Sequence, residues 1–560
     1  LSASVVLLAA THCTIAYAAW PSDPNVNVPL CTAANDQTYA TMVSDNAGGA
    51  IVAWQDSRGG DYDIYAQRVS AAGVVQWIAG GVTICSAAND QFGPMIVSDG
   101  SNGAIITWAD YRSGNNYDVY VQRVNAAGVP QWTANGVALC TAYNYQSNPT
   151  ITSDGSGGAI VTWQDGRAGN YDIYAQRVSA AGVPQWPLNG VPLCTAVNHQ
   201  LYPAIESDGA GGAIVAWQDY RAGSTSDVYV QRVNAAGVRQ WTSDGVALCT
   251  AAQSQSDLTI ASDGAGGAIV TWDDGRNDTD LDIYAQRVNG VGTPQWTVDG
   301  VALCTATDAQ FFPTIVSDGA GGAIVTWTDV RNGTDPDIYA QRINATGVPQ
   351  WSLNGVALCS AAYGQQNPVI ASDGMGGAIV TWQDERTGTD NDLFAQRVNA
   401  AGVPQWVPGG VALCTSANDQ YGSTIASDGS HGAIVAWYDY RAGTTADIYA
   451  QNINADGSLG GSLLSTSPLP PASFALSGVR PNPSVGDVRV SFSLPDGAPA
   501  TLALYDLTGR RIESLSVGAL GPGVHVASLG HGPSTLPPGV YCVCLTQGTH
   551  RAFNKVALVR

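Results

Sequence analysis

Aspartate and arginine recur two residues apart eight times along this chain. The series runs from Asp56 and Arg58 through Asp110 and Arg112 to Asp439 and Arg441, and another aspartate follows each pair: Asp63, Asp118 and so on to Asp447. A guanidinium that close to a carboxylate suits a bidentate ion pair. Catalysis asks for different groups converging at one place, whereas a group present in every copy meets a need of every copy. The spacing therefore predicts a structural role, with Arg58 tying its own loop to Asp56 or to Asp63. The recurring Gln37, Gln91 and Gln146 are expected to hold neighbouring backbone in the same way.

Other candidates are less regular. Asp278, Asp280 and Asp282, then Asp335 and Asp337, then Asp390 and Asp392 place carboxylates at alternate positions. Hard oxygen donors in that spacing suit Ca²⁺. The alternative is an acidic loop whose last aspartate caps a strand or pairs with arginine. Calcium is thus the one cofactor the sequence suggests. Zinc is not expected, because His199 and His431 occupy unrelated places and no close cysteine pair accompanies them. Sugar hydrolysis needs two carboxyl groups converging on one bond, but the repeat region holds only Glu206 and Glu385 as glutamates. Its aspartates read as copies of one another, so no catalytic residue is assigned and the chain reads as a non-enzyme.

The elements that carry these residues come from one repeat. Tryptophan recurs at Trp54, Trp108, Trp163, Trp217, Trp272, Trp327, Trp382 and Trp437, and cysteine at Cys31, Cys85, Cys140, Cys194, Cys249, Cys304, Cys359 and Cys414. Both series step by 54 or 55 residues. Within a unit, an apolar run (Pro94–Val97) meets a Ser-Asp-Gly turn, then the β-branched run Ala104–Trp108, then Asp118–Val124, then Gly136–Cys140. Four short strands per unit, with no 3.6-residue period, make one propeller blade. The segment Trp20–Cys31 has no strands of its own before it, and the eighth unit stops near Ile453 without that segment. The fold expected is all-β: an eight-bladed β-propeller over 19–453, closed by the N-terminal strand, and then a small β-sandwich. The eight cysteines fall on the outermost strand, too far apart for disulfides, and are expected to stay reduced; Cys542 and Cys544, two apart on one strand, are also expected to be unpaired.

Two sets of loops lie on one face of such a ring, because both join strands in the same sense. They vary while the blades repeat: Tyr143, Tyr145, Tyr202, Phe311, Phe312, Tyr363 and Tyr421 follow the cysteines, and Tyr111, Tyr220 and Tyr440 follow the Trp-x-Asp runs. Aromatic rings beside Asn, Asp and Gln fit a sugar face or a protein partner, or else wedge between adjacent blades.

Composition narrows the class further. The chain has 560 residues, 65 of them glycine, and a formal net charge of -22 with Lys555 as its single lysine. Such a surface repels a phosphate backbone, which excludes nucleic acid as a partner. Residues 1–18 read as the end of a secretory signal, with small residues at Ala16 and Ala18. No apolar run reaches the length of a transmembrane segment. The serine- and proline-rich stretch before Phe474 makes 454–473 a linker.

The Ser-Asp-Gly turn before a β-branched run and Trp resembles the Asp-box hairpin of sialidase-type propellers in secreted bacterial proteins. In 474–560, Pro481-Asn482-Pro483, Leu504–Arg511 and Leu536–Tyr541 resemble the C-terminal sorting domains of the type IX secretion system. They are also similar to the immunoglobulin-like module of flagellar hook-capping proteins. That resemblance implies outer-membrane secretion machinery as a partner, and release from, or attachment to, the outer surface of a Gram-negative-type bacterium. Together these readings predict an exported, non-catalytic recognition or adhesion protein that binds a glycan or a cell-surface protein through its variable loop face. The alternative is a sialidase-like or other glycoside hydrolase, or a purely structural surface protein.

Overall fold

The computed structural model describes residues 20–460 except Thr334, and 474–559 except 480–483, 486–487, 496–497, 519–522 and 530–536. The expected signal at 1–18, most of the linker, Pro481–Pro483 and Leu536 lie outside the described residues. The chain divides into two compact units, Leu1–Gly461 and Ser462–Arg560.

The first unit is built from eight separate four-stranded antiparallel sheets, a propeller-like all-β architecture in which no sheet curls on itself. In the first sheet, β2 (Gln37–Ser44), β3 (Ala50–Asp56), β4 (Asp63–Val69) and β5 (Val82–Cys85) lie in that order. The second strand, Ala-Ile-Val-Ala-Trp-Gln-Asp, is buried at every position, which is why it reads as an unbroken β-branched run. The glycine before the outermost strand in seven of the eight sheets is dictated by close approach. Gly136 has φ +88°, and a Cβ there would stand 2.6 Å from the Trp108 ring.

Adjacent sheets are joined by one backbone bond in each copy, from the first-strand glutamine to the loop carbonyl of the sheet before. Gln91 N donates to Tyr62 O at 2.7 Å and Gln146 N to Tyr117 O at 2.8 Å. The N-terminal strand β1 (Val28–Cys31) pairs with β32 (Asp447–Ile453) and completes the eighth sheet. Gln37 N then donates to Ala446 O at 2.8 Å, the same bond made between the eighth sheet and the first. Trp20 Nε1 donates to Ala71 O at 3.0 Å, as Trp77 Nε1 does to Ala126 O at 3.0 Å.

The second unit holds a three-stranded and a five-stranded sheet around one core of Val488, Val490, Phe492, Leu502, Val543 and Val556, a small β-sandwich. Its strands Ala475–Val479 and Ser484–Val485 escaped the sequence reading. Cys542 and Cys544 are free.

Candidate functional site

The repeated Asp-Arg pair is a clamp inside each sheet. Asp110 is fully buried at the end of its strand. Its Oδ1 accepts from Arg112 Nε at 2.7 Å, and its Oδ2 from Arg112 Nη2 at 2.6 Å and Trp108 Nε1 at 2.7 Å. Arg112 also donates to Asn135 O at 2.7 Å and lies 3.6 Å over the Tyr120 ring. Arg58 makes the same bonds to Asp56 and not to Asp63, so the structure chooses between the two partners that the spacing allowed. Asp118 and Asp63 stand opposite Asp110 and Asp56 in the ladder. Burial first, and then the facing aspartate, push both carboxyls up to about 6. The cysteines lie on the outermost strands beside the next sheet's clamp, Cys85 Sγ being 3.3 Å from Arg112 Nη2. Burial pushes the Cys85 thiol up to about 12.

The loop aspartates do not converge. Asp282, Asp337 and Asp392 are buried at strand starts. Asn277 donates to both Asp280 and Asp282, Gln253 to Asp278, and Asn332 to Asp337 at 2.6 Å. Asp335 and Asp390 are not drawn in with them; Asp390 lies instead with Tyr363 and Glu385 on a cavity of about 260 Å³. Among the described residues, no group of three or more His, Cys, Asp or Glu side chains comes together as a metal site.

The predicted aromatic residues separate into three groups. Tyr143 and Tyr363 stand out on loops. Tyr145 joins a chain of rings, with Tyr117 at 5.7 Å, Phe92 5.9 Å from Tyr117, and Tyr62 5.5 Å from Phe92. Tyr421 packs against Tyr438 and Tyr440 at 6.1 and 6.2 Å. Phe311 lies half-buried against Phe312. Tyr202 and Phe312 are exposed and share a position that the sequence reading did not separate from the loops.

That position is a bulge. Two residues after each first-strand glutamine, the register with the second strand slips. The eight residues there are Tyr39, Gly93, Asn148, Tyr202, Asp257, Phe312, Asn367 and Gly422, all with φ between 45° and 58°. Glycine takes this left-handed conformation freely and asparagine tolerates it, but tyrosine and phenylalanine are strained in it. Tyr39, Tyr202 and Phe312 nevertheless hold it, with 65%, 56% and 46% of their surface exposed. The neighbouring sheet supports the bulge: Gln164 Oε1 accepts from Tyr202 N and Gln55 Oε1 from Gly93 N, both at 3.2 Å. Along these first strands runs a cavity of about 700 Å³ touched by Phe92, Asn148, Tyr202, Gln218 and Asp257. A second, of about 330 Å³, is touched by Asp257, Phe312 and Asn367. We call this set of bulges and its cavities the mouth.

The mouth is not eightfold. In the third and seventh sheets, the bulge asparagine donates its amide to a second-strand glutamine: Asn148 to Gln164 and Asn367 to Gln383, each at 3.1 Å. In the fifth sheet both partners are acids, Asp257 and Asp273. Asp273 is 1% exposed, and neither of its oxygens has a hydrogen bond of ordinary geometry. Burial, then the charge of Asp257, push Asp273 up to about 7; the Ser256 side chain and the Phe312 amide offset only part of this. The expectation that every aspartate is a copy is therefore corrected: this pair is unique to one sheet. Glu206 lies elsewhere on its strand, with its carboxyl bound to Ser207 N at 2.9 Å and raised by burial.

No family model and no curated protein matches the chain. Among solved structures, it is similar to a protein of unknown function from Dyadobacter fermentans (11% identity, TM-score 0.33, covering 57% of this chain and 97% of that one). It is similar also to an ulvan lyase, a polysaccharide lyase bound to a GlcA–Rha3S fragment (11%, 0.43, 78% and 97%). A third is an endo-arabinase from Bacteroides thetaiotaomicron (12%, 0.29, 49% and 98%). Several carbohydrate-active enzymes stand among these similar structures, and the expectation that the chain is no enzyme is withdrawn. At these identities and TM-scores, no substrate passes from those proteins to this chain.

Proposed function

We propose that the eight sheets form one closed eight-bladed propeller whose mouth engages carbohydrate outside the cell. One observation carries this reading: three large aromatic side chains are kept at left-handed bulges where Gly93 and Gly422 show that glycine suffices. Strain of this kind is concentrated at functional sites. Exposed rings with Asn148, Asn367 and Asp257 between them offer stacking surfaces and hydrogen-bonding groups, the two things a sugar ring uses. The Leu504–Arg511 motif within a small β-sandwich supports export through outer-membrane secretion machinery, to the medium or the cell surface. Calcium at the Asp278–Asp282, Asp335–Asp337 and Asp390–Asp392 loops is retained as part of the proposal.

The test is a glycan panel with the full chain, run with and without calcium and read both for binding and for newly released sugar ends. The triple variant Tyr39→Gly, Tyr202→Gly, Phe312→Gly is expected to lose binding, or turnover, on whichever glycan the parent recognises. Unchanged binding by that variant would remove the mouth as the site.

A further inference from the structure

This inference rests on the carbohydrate reading of the mouth and narrows its ligand. Asp257 occupies the bulge of the fifth sheet, between Tyr202 on the fourth and Phe312 on the sixth. Asp257 touches both cavities, Tyr202 the larger and Phe312 the smaller. Sister sheets fill the Asp257 and Asp273 positions with an asparagine and a glutamine that satisfy one another, N–H to O=C. Two acids in their place can satisfy one another only by sharing a proton, and the shared pair still carries a negative charge where the sister sheets are neutral. Asp273 is buried, with the Ser256 side chain and the Phe312 amide acting on it, so it is the exposed Asp257 that presents the pair's charge to the two cavities.

The rest of the unit fixes the sign of an incoming group's charge. The residues from Trp20 to Gly460 contain sixteen arginines and no lysine. Every one of the sixteen is ion-paired with an aspartate. Among the described residues of this unit, then, no arginine or lysine is left over to receive a uronate, sulfate or sialate carboxylate. A carboxyl pair flanked by two aromatic rings is instead the chemistry that holds an ammonium, through ion pairing and cation–π attraction.

We propose that Asp257, backed by Asp273 and flanked by Tyr202 and Phe312, binds the protonated amine of an amino sugar, so that the mouth takes glycans with free amino groups. The ammonium lies against Asp257 and pairs with its charge, and the sugar faces meet the two rings. Asp257 contacts the ligand; Asp273 positions it from behind.

The experiment titrates the full chain calorimetrically with three oligosaccharides: a glucosamine oligomer with free amines, its N-acetylated counterpart and a galacturonate oligomer. The free-amine oligomer is expected to bind at least about tenfold more tightly than the acetylated one, a modest value for a partly buried charge pair. The double variant Asp257→Asn, Asp273→Gln rebuilds the amide pair of the third and seventh sheets and so is expected to fold. It should lose the free-amine preference while keeping its affinity for the acetylated oligomer. Tyr202→Gly with Phe312→Gly should weaken both. Equal or better binding of the acetylated or uronate oligomer by the parent overturns the amine site and leaves the mouth standing. A double variant that keeps the preference also overturns it. Loss of all glycan binding by the parent overturns both readings.

Discussion

If the bulges are left-handed, glycine and alanine should exchange their usual order of stability there. At Tyr39, Tyr202 and Phe312, φ is 54°, 51° and 55°. An alanine in that region bears roughly 1–2 kcal/mol of steric cost, whereas glycine bears none and loses roughly 0.5–1 kcal/mol more chain entropy on folding. Both replacements remove the ring, so lost contacts cancel in the comparison. The difference is about 0.5–1 kcal/mol per site in favour of glycine, and the three sites lie on the first, fourth and sixth sheets, far enough apart to add, giving roughly 1.5–3 kcal/mol. At about 2.1 cal/mol/K per residue over about 440 residues, the triple glycine variant should melt about 2–3 °C above the triple alanine variant. Scanning calorimetry of the two, beside the glycan panel, measures both properties at once. Glycan recognition should be lost equally in both variants. An alanine set that melts at or above the glycine set would refute the left-handed geometry, and with it the claim that strain is retained for the sake of the rings.

The clamp predicts a different response at Trp163, which is fully buried and donates to Asp165 Oδ2 at 2.8 Å. Trp163→Ala should cost about 3–5 kcal/mol, seen as a large drop in melting temperature; a loss below about 1 kcal/mol would contradict its place in the core. The eight repeat cysteines are buried, with thiols pushed up to between about 11 and about 12. Alkylation followed by intact mass should leave them unmodified in the native protein and label all eight after unfolding without reductant. The eight aspartates that open the third strands, Asp63 to Asp447, are raised from 3.8 to about 6, chiefly by burial. Between those two values the fold holds protons that the unfolded chain releases, so stability falls as pH rises from about 4 through about 6 and then levels. Melting should therefore occur at a higher temperature at pH 5 than at pH 7.5. Asp118→Asn should reduce the difference, and a profile that is flat or falls towards pH 5 would count against the buried carboxyls.

Much of the scaffold was legible because each blade repeats the same physical demands. The 54- or 55-residue step of Trp163 and Cys194, the β-branched runs and the missing strand at each end led to eight sheets and the Trp20–Cys31 partner strand. The Asp-Arg pairs were legible as clamps, though spacing alone left Asp56 and Asp63 equal as partners for Arg58; the Trp54 indole, which donates to Asp56 at 2.8 Å, shows which carboxylate faces inward. The mouth was harder. A period-two reading of Gln200-Leu201-Tyr202-Pro203 carries no sign of a bulge, and Tyr202 therefore looked like one loop aromatic among many. The signal lay across the copies, where Gly93, Gly422, Asn148, Asn367 and Asp257 fill one position with the residues that best tolerate a left-handed backbone. The same comparison sets Asp257 and Asp273 against Asn148 and Gln164, and shows a charge where the other sheets use amides.

A set of near-identical sheets can carry a localised site only where its copies differ, and these copies differ in their aromatic and acidic side chains. The Tyr421, Tyr438 and Tyr440 cluster belongs to the eighth sheet, and the chain of rings from Tyr62 to Tyr145 spans the first to third. Asp257 and Asp273 face one another on the fifth sheet alone, and Glu385 and Asp390 lie beside Tyr363 on the seventh. The clamps hold every strand end in the same geometry, so these substitutions change the surface without changing the backbone beneath it. A ligand spanning the mouth would meet the facing acid pair at one place, the fifth sheet. It would therefore bind in one orientation, with its positive end towards Asp257. Asp257→Asn with Asp273→Gln removes that pair and leaves the rings, so a ligand that still binds should do so without a fixed direction. Spin-labelling one end of a bound oligosaccharide and measuring its distance to a label on the Tyr143 loop would show a single distance in the parent and two in the variant; two distances in the parent would refute the polarity of the mouth.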